Sequence, residues 1–317
     1  MTNSVIVRVP ATTANLGPGF DCLGAALTLY NQFEFSRGES SDPSSSGVKI
    51  IVTGVEANRV STDKNNLVYQ AFVKFYEKIG QTPPNVVINI DLNVPLARGL
   101  GSSATAIVGG LVGANELAGT PLSREELMEL AISMEGHPDN VVPASIGGCR
   151  LSVSNDAADD GSSNWTICPI SWHSEIVPVL AIPDFELPTE TARQVLPASY
   201  HRGDAIFNTA NLGLLLRALE SGNAEWLRVA MRDRIHQPYR KTLIAGYDMV
   251  RQAAIDAGAY GVVISGAGPT LLALCSPEYA TEVAKTIVST WDEQGIHSEV
   301  KVLAIDYVGA GCDRATS

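Results

Sequence analysis

The chain has 317 residues, of which 45% are hydrophobic and 18% are charged. This composition excludes a disordered protein and is sufficient for one large or two ordinary cores, so two domains are expected. The net charge of -12 at pH 7 argues against nucleic acid or an anionic membrane surface as the main partner, because either would favour a basic face. Phosphate binding by such an acidic chain would depend on local groups, namely backbone amides, a helix end, a metal ion and a few arginines.

The sequence carries no strong targeting or cross-linking signal. Residues 1–8 lack a basic region followed by an apolar stretch, and no run approaches the roughly 18 apolar residues of a membrane span. We therefore expect a cytoplasmic protein without a membrane partner. The 5 cysteines are scattered without C-x-x-C spacing, which favours reduced thiols over disulfides or a zinc site.

Hydrophobic periodicity predicts strands and helices in an irregular order. The predicted strands are 5–8, 31–36, 48–52, 86–90, 176–182, 261–264, 271–274 and 299–307. The predicted helices are 66–79, one that starts from the capping box at 123–126, 205–219, 224–236, 243–256 and 282–291. This order favours an α+β fold with mainly antiparallel sheets over a doubly wound fold. The polar stretch at 154–164 predicts a boundary, with domains of 1–163 and 164–317.

A glycine-serine turn at residues 95–105 is the clearest candidate site. Gly99 and Gly101 lack the Cβ atoms that would keep a ligand away from the backbone, and Ser102 or Ser103 is a natural N-cap for a following helix. The amides and dipole at the start of such a helix favour a phosphate group. The turn is not a common P-loop, because Ser102 stands where that motif requires lysine. Taken alone, it is equally consistent with a glycine-containing helix start packed against a neighbour.

Two further segments of the sequence indicate that this turn is a binding site. Residues 10–21 read PATTANLGPGFD, and residues 265–270 read SGAGPT. Together with residues 95–105 they resemble, in order and separation, the three motifs of the GHMP kinases. The first segment and residues 135–148 are most similar to the homoserine kinase branch of that family. The resemblance implies a two-domain α+β architecture, with a left-handed β-α-β crossover in the N-terminal domain, a C-terminal ferredoxin-like domain, and the active site between them.

The same resemblance implies ATP and Mg²⁺ as cofactors, and it assigns the nucleotide to the glycine-serine turn and the third segment. The residues expected there are Pro95, Leu96, Ala97, Arg98, Gly99, Leu100, Gly101, Ser102, Ser103, Ala104, Thr105, Gly266 and Gly268. The glycines of the third segment could alternatively serve close packing.

For the metal ion, the expected ligands are a serine hydroxyl and one carboxylate. Ser103 is the chosen hydroxyl, with Ser102 left open. In homoserine kinases a magnesium-binding glutamate lies eight residues before the histidine of the H-x-D-N segment, and Glu129 stands at that distance from His137. The apolar Met128 and Ile132 beside Glu129 weaken the alternative of a solvated surface glutamate.

For the acceptor, the resemblance implies L-homoserine. Asn15 and Asp21 are expected around its ammonium group, although each could instead cap a turn. Arg193 and Arg240 match positions that grip its carboxylate, with Thr189 as a weaker companion, because a guanidinium can bind a carboxylate with two parallel hydrogen bonds. Ordinary surface ion pairs are the alternative for both arginines.

His137, Asp139 and Asn140 are the candidate catalytic residues. Asn140 would orient the acceptor hydroxyl, and Asp139 is the candidate base. A reaction without a strong base is also open, because the proton can leave late in a loose phosphoryl-transfer transition state. All three residues could instead cap a helix that begins near Val141.

The leading interpretation is phosphorylation of the homoserine hydroxyl by ATP on the threonine pathway. A kinase of the same family for mevalonate or another small alcohol is the nearest alternative, and a nucleotide-binding sensor without catalysis is a third. The ammonium-binding pair Asn15 and Asp21 favours an amino acid, and the intact Ser103 and Glu129 argue against a dead site. The family resemblance also implies a homodimer.

Overall fold

Two sheets organise the chain, and the computed structural model describes residues 4–38, 47–155 and 164–315. The first part of the chain forms β1 (Ser4–Asn15), β2 (Gly19–Arg37), β3 (Val48–Gly54), α1 (Leu67–Lys78), β4 (Val86–Leu92), α2 (Ser102–Leu117), α3 (Arg124–Glu135), α4 (Pro138–Ile146), β5 (Cys149–Ser154) and β6 (Trp165–Ile170). The second part forms β7 (Val177–Pro183), α5 (Thr189–Gln194), α6 (Arg202–Ser221), α7 (Ala224–Ala230), α8 (Gln237–Arg240), α9 (Tyr247–Asp256), β8 (Gly261–Ile264), β9 (Leu271–Cys275), α10 (Ala280–Asp292), β10 (Ser298–Val302) and β11 (Gly311–Ala315).

The first sheet has seven strands, in the order β11-β1-β2-β4-β3, with β5 on β2 and β6 on β5. Its strands β3 and β4 are parallel and are joined by α1, which makes the β-α-β unit of this domain. The second sheet is antiparallel, in the order β10-β7-β9-β8. Since helices separate β7 from β8 and β9 from β10, this domain has the β-α-β-β-α-β arrangement of ferredoxin-like folds. The predicted α+β class is confirmed.

The domain boundary differs from the predicted one. Residue 163 lies outside the described residues, but the strands on either side of it belong to one sheet, because β5 pairs with β6 from Cys149↔Ile170 to Ser154↔Trp165. The first domain therefore continues to Ile170, and it gains residues 311–315 when β11 pairs with β1. Polar composition marks any exposed connection, whether it joins two domains or two neighbouring strands.

Several predicted elements end earlier than their sequence pattern does. The helix predicted over 224–236 stops at Ala230, and the strand predicted over 299–307 stops at Val302. After Ala230 the carboxylate of Asp233 accepts hydrogen bonds from the amides of Ile235, His236 and Gln237, at 2.9, 2.9 and 2.6 Å. A side chain that binds the backbone in this way competes with continuation of the helix and starts a new one, here α8.

Close packing of α2 against the first sheet explains the small residues in that helix. A Cβ atom at Gly109 would lie 2.4 Å from the Phe33 ring, and one at Gly113 would lie 2.2 Å from the Phe35 ring. Both rings are fully buried on β2. The glycines thus set the depth at which α2 lies on the sheet, and so the position of its first turn. Among the described residues, no helix is both long enough and apolar enough to span a bilayer.

Candidate active site

The glycine-serine turn leads into α2 without a side-chain cap. Gly101 is the N-cap, with φ +67°, and no side chain in the described part of the chain caps the first-turn amides. Ser102 and Ser103 are therefore the first helical residues, which differs from the N-cap role expected for one of them. Both line the cleft between the two domains. An uncapped helix start that lines a cleft is a suitable site for a phosphate group.

The three sequence motifs meet at this turn. Ser265 Oγ donates a hydrogen bond to the Gly99 carbonyl at 2.7 Å and contacts Thr13 Oγ1 at 2.9 Å. The Gly266 amide donates to the Ala14 carbonyl at 3.1 Å. A Cβ atom at Gly99 would lie 2.2 Å from the Ser265 carbonyl oxygen, so only glycine allows this approach. Residues 265–270 therefore join the first and second motifs.

Gly101 also faces protein atoms rather than ligand space alone. A Cβ atom there would lie 2.0 Å from Thr12 Oγ1, and that hydroxyl donates to Asn140 Oδ1 at 2.7 Å. A larger residue at Gly101 would displace Thr12 and with it Asn140. Loss of activity on such a substitution would consequently report packing as well as phosphate binding.

Arg98 uses its guanidinium to join the domains. Its Nε donates to the Pro183 carbonyl at 3.1 Å and its Nη2 to the Asp184 carbonyl at 2.8 Å. Its guanidinium also lies 3.3 Å from Glu186, which binds Arg59 as well. Because these partners occupy the side chain, Arg98 shapes the wall of the cleft and keeps the end of β7 beside the turn.

Of the residues expected to bind nucleotide, the cleft is lined by Ala97, Arg98, Gly99, Gly101, Ser102, Ser103 and Gly266. The structure does not bring Pro95, Leu96, Leu100, Ala104, Thr105 or Gly268 to its wall. Leu100 and Ala104 are buried in hydrophobic cores, and Thr105 Oγ1 accepts a hydrogen bond from Asn31 at 2.8 Å. The buried residues Leu100, Ala104 and Thr105 thus anchor the turn and the start of α2 in the protein.

All residues expected around the acceptor line the same cleft, namely Asn15, Asp21, His137, Asp139, Asn140, Thr189, Arg193 and Arg240. The side chains of Asp21, His137 and Asp139 each offer an atom within 4.8 Å of the others. Asp139 Oδ1 accepts from Asn140 Nδ2 at 3.1 Å and contacts His137 Nδ1 at 2.6 Å. This end of the cleft is acidic and suits a cationic group of a ligand.

Asp21 and Arg193 form a two-pronged ion pair across the domains. Arg193 Nη1 and Nη2 donate to the two Asp21 oxygens at 3.0 and 2.9 Å. The Asp21 amide donates to Asn15 Oδ1 at 2.9 Å, and Asn15 Nδ2 donates to the Gly266 carbonyl at 2.9 Å. Asn15 thus fixes the turn that presents Asp21, and Asp21 positions Arg193.

Arg240 is a buried cation at the acceptor end of the cleft, with 2% of its surface exposed. Its Nε donates to the Ala192 carbonyl at 3.2 Å and its Nη1 to the Gly266 carbonyl at 3.0 Å. Its guanidinium lies 5.0 Å from the centre of the Phe20 ring. These contacts leave further guanidinium N–H groups for a ligand, and burial lowers the pKa of Arg240 from its ordinary range.

Glu135, rather than Glu129, lies beside the glycine-serine turn. Ser103 Oγ donates to Glu135 Oε2 at 2.7 Å, and Glu135 lines the cleft. Glu129 Oε1 instead accepts from the Asn164 amide at 3.2 Å and does not line the cleft. Six residues on a helix are a rotation of about 240° and a rise of about 9 Å, so the two carboxylates cannot serve one position. Sequence reasoning missed Glu135, although it lies within the quoted 135–148 segment.

The pKa of His137 is raised by its acidic neighbours. Burial favours the neutral ring, but the hydrogen bond to Asp139 and the negative charges of Asp139, Glu135 and Asp21 outweigh it. Since the folded pKa lies above the unfolded one, the pair stabilises the protein fully below about pH 6.5 and loses this effect as the pH rises through the folded pKa.

We expect the His137 ring to titrate above its ordinary pKa in the native protein. In Asp139→Asn the charge is lost while burial remains, so the pKa of His137 should fall. An NMR titration of the His137 Cε1–H signal in both proteins checks this. An unchanged pKa in the variant would contradict the assignment of Asp139 as the main partner.

Comparison with known proteins defines the class. Residues 66–148 match the model described as GHMP kinases N terminal domain, and residues 215–293 match GHMP kinases C terminal. Both halves of a GHMP kinase are thus present, around the cleft described above.

The similar proteins narrow the class further. Homoserine kinases from Trichormus variabilis and Trichodesmium erythraeum are each 62% identical to this chain, over 98% and 97% of it and 99% and 98% of their own lengths. A crystal structure of homoserine kinase from Cytophaga hutchinsonii has a TM-score of 0.85 at 29% identity, covering 98% of this chain and 97% of that chain. A mevalonate kinase structure, with a TM-score of 0.68 at 15% identity over 95% of this chain and 99% of its own, shares the fold. The chain belongs to the homoserine kinase family.

Proposed function

We propose that the protein transfers the γ-phosphoryl group of ATP to the side-chain hydroxyl of L-homoserine, giving O-phospho-L-homoserine and ADP. The observation that carries this proposal is one cleft with a phosphate-binding helix start, an acidic end at Asp21 and Asp139, and a buried cation at Arg240. Homoserine is an alcohol that carries an ammonium and a carboxylate. The cleft has a group complementary to each of these charges beside the helix start, which supports the proposal.

The nucleotide phosphates bind at the start of α2. The amides of Ser102 and Ser103 and the backbone of the turn replace the missing cap, so negative charge is bound without a large basic patch. Such fixed dipoles require little reorganisation as charge develops in the transition state. This accounts for phosphate binding in a chain with a net charge of -12.

The oxygen atoms beside this helix start fit a magnesium ion. Ser103 Oγ and Glu135 Oε2 lie 2.7 Å apart at the wall of the cleft, and both are oxygen atoms of the kind that Mg²⁺ prefers as ligands. We assign Ser103 and Glu135 as the residues that hold Mg²⁺, in place of the pair Ser103 and Glu129. The ion would neutralise phosphate charge when bound. Glu129, bound to the Asn164 amide, serves the packing of α3 in this assignment.

The acceptor lies between the acidic end of the cleft and Arg240. Asp21 accepts hydrogen bonds from the ammonium with the lone pairs that Arg193 leaves free, and Asn15 acts as a positioning residue for Asp21. Arg240 binds the carboxylate with its remaining N–H groups. Arg193 and Thr189, from α5, close this part of the pocket.

Asn140 orients the attacking hydroxyl. Thr12 and Asp139 fix the amide orientation, because Asn140 Oδ1 accepts from Thr12 and Nδ2 donates to Asp139. The hydroxyl oxygen attacks the γ-phosphorus, the bond to the ADP oxygen breaks, and the hydroxyl proton leaves. Asp139 is 2% exposed and already binds His137 and Asn140, so we assign it mainly to the orientation of these two residues. The proton then leaves late, toward a phosphate oxygen.

Substrate analogues test the proposal. We expect rapid ADP release with L-homoserine and weak activity with 3-aminopropan-1-ol, which lacks the carboxylate, and with 4-hydroxybutyrate, which lacks the ammonium. Mevalonate carries a carboxylate but no ammonium and should also be poor. Equal turnover with 4-hydroxybutyrate and homoserine would contradict the role of Asp21, and binding of ATP without ADP release from any alcohol would identify a sensor. The homodimer stays a prediction, to be checked by sedimentation.

A further inference from the structure

A second concave surface lies in the C-terminal domain, outside the active site. We call it the basic groove. Its basic lining residues are Arg228, Arg232, Arg234, Lys241 and Arg251. The lining includes 4 arginines and 1 lysine of the 22 basic residues in a chain with a net charge of -12. This concentration of positive charge opposes the composition of the whole chain and calls for a specific explanation.

The groove has two acidic residues, Asp233 and Asp248, against five basic ones, so its lining keeps an excess of positive charge. The Asp233 side chain is fully buried, and its oxygens accept from the Asn208 side chain and from amides at the start of α8. Asp248 pairs with Lys241, at 3.0 Å. The Asp233 carboxylate therefore binds the start of α8, and the Asp248 carboxylate binds Lys241.

Three arginines of the groove have no carboxylate partner in the part of the chain that the structure describes. These are Arg228, Arg232 and Arg251. The Arg228 guanidinium lies 5.7 Å from the centre of the Tyr260 ring. Arg234, in contrast, is paired with Asp204 at 3.4 Å and stacks on Phe207. The unpaired guanidinium groups supply the planar, multiple donors that recognise phosphate and carboxylate.

Tyr247 adds a hydroxyl donor to the lining of the groove. Tyr247 lines the groove and is 7% exposed as a residue, and none of the described residues binds its hydroxyl, which is open to the groove. Burial raises the pKa of Tyr247 to about 12, so the hydroxyl stays protonated and can donate. An acceptor group of a ligand in the groove would meet this donor.

We propose that the basic groove binds a small anion with two or more negative charges, held by Arg228, Arg232 and Arg251 and by the Tyr247 hydroxyl. Phosphate esters and polycarboxylates share this chemistry. The concave shape and the apolar Met231, Ile255 and Val262 in its lining suit a small molecule rather than an extended polymer.

The groove lies on the opposite end of α8 from the active-site cation. Gln237 lines the groove, and its Oε1 accepts from the Ile264 amide at 2.9 Å, next to the third motif. Arg240, at the other end of this four-residue helix, lines the catalytic cleft. An anion in the groove is therefore a ligand separate from the two substrates.

Binding of inorganic pyrophosphate and of citrate, each measured by calorimetry on the full chain, tests the proposal. ADP with Mg²⁺ is kept saturating so that the phosphate site at α2 is filled. The groove variant is Arg232→Gln/Arg251→Gln, and the matched control is Arg202→Gln/Arg217→Gln, which removes the same charge from α6. We expect at least one probe to bind the native protein and the control, and to bind the groove variant at least tenfold more weakly.

The two probes distinguish phosphate from carboxylate as the preferred group. Equal affinity of the groove variant and the native protein would overturn the proposal, as would failure of both probes to bind at millimolar concentration. Loss of self-association in the groove variant without any anion binding would also overturn it and would mark a surface for a second copy of the chain. Should the double variant fail to fold, Arg232→Gln alone, at an exposed position, gives the same comparison with a smaller expected loss.

Discussion

Glu135→Gln should lower kcat by about a hundredfold or more, while Glu129→Gln should leave kcat within about twofold of the native value. The carboxylate of Glu135 lies 2.7 Å from Ser103 Oγ at the cleft wall, whereas that of Glu129 binds the Asn164 amide. An amide retains the shape of the side chain but not the charge that holds Mg²⁺, and metal ions supply several kcal/mol of transition-state stabilisation. Each 1.4 kcal/mol corresponds to about tenfold in rate.

The pair of variants is its own control, since both remove one negative charge from α3. Kinetics at several magnesium concentrations provide the measurement, and we expect Glu135→Gln to require more magnesium for half-maximal activity. The reverse order, with Glu129→Gln inactive and Glu135→Gln near native, would restore the assignment made from sequence. Thermal unfolding of both variants separates loss of the ion from loss of the fold.

Arg240→Lys should weaken homoserine binding by about ten- to a hundredfold and leave ATP binding nearly unchanged. Lysine keeps the charge but cannot donate to the Ala192 and Gly266 carbonyls and to a carboxylate at once. The expected loss of binding free energy for homoserine is that of one charged hydrogen bond, about 1.5 to 3 kcal/mol. Arg193→Lys should have a smaller effect of the same kind, because Arg193 is mainly engaged with Asp21 and is more exposed.

Measurement of KM for homoserine and of ATP affinity in the same variants checks this prediction. The control is 3-aminopropan-1-ol, which has no carboxylate to lose, so its poor turnover should fall little further in Arg240→Lys. If activity with homoserine and activity with 3-aminopropan-1-ol fell by the same factor in Arg240→Lys, Arg240 would be a structural residue of the α8 region. If it bound homoserine normally, the carboxylate would have to bind elsewhere.

The sequence predicts that the three motifs lie together, because each motif contains residues, such as glycine, that serve few structural roles. Glycines such as Gly99 and Gly101 permit close approach, and their order along the chain identified the family. The contacts that join the motifs, such as Ser265 Oγ to the Gly99 carbonyl, depend on the fold and could not be predicted from the residues. The family resemblance thus predicted an active-site cleft, whereas the hydrogen bonds that join the motifs became known only from the structure.

Side-chain direction was the least predictable property of the site. Distance along the chain selected Glu129, but the orientation of α3 decides which turn of that helix reaches the cleft, and packing against α2 and α4 sets this orientation. Similarly, Arg98 belongs to the phosphate-binding turn by sequence, yet its guanidinium binds the carbonyls at the end of β7. Hydrophobic patterns describe the face that a helix buries and do not describe what a polar side chain meets.

The pairing of β11 with β1 has a consequence for biosynthesis of the protein. Ser4 to Arg8 align with Ala315 to Gly311, so the earliest described strand receives its outer neighbour from the last one. During translation β1 is an unprotected edge, with open N–H and C=O groups, until the whole ferredoxin-like domain has been synthesised. Domains usually fold one after another as a chain emerges. Here the outer edge of β1 stays open to pairing with another chain until residues 311–315 have been synthesised.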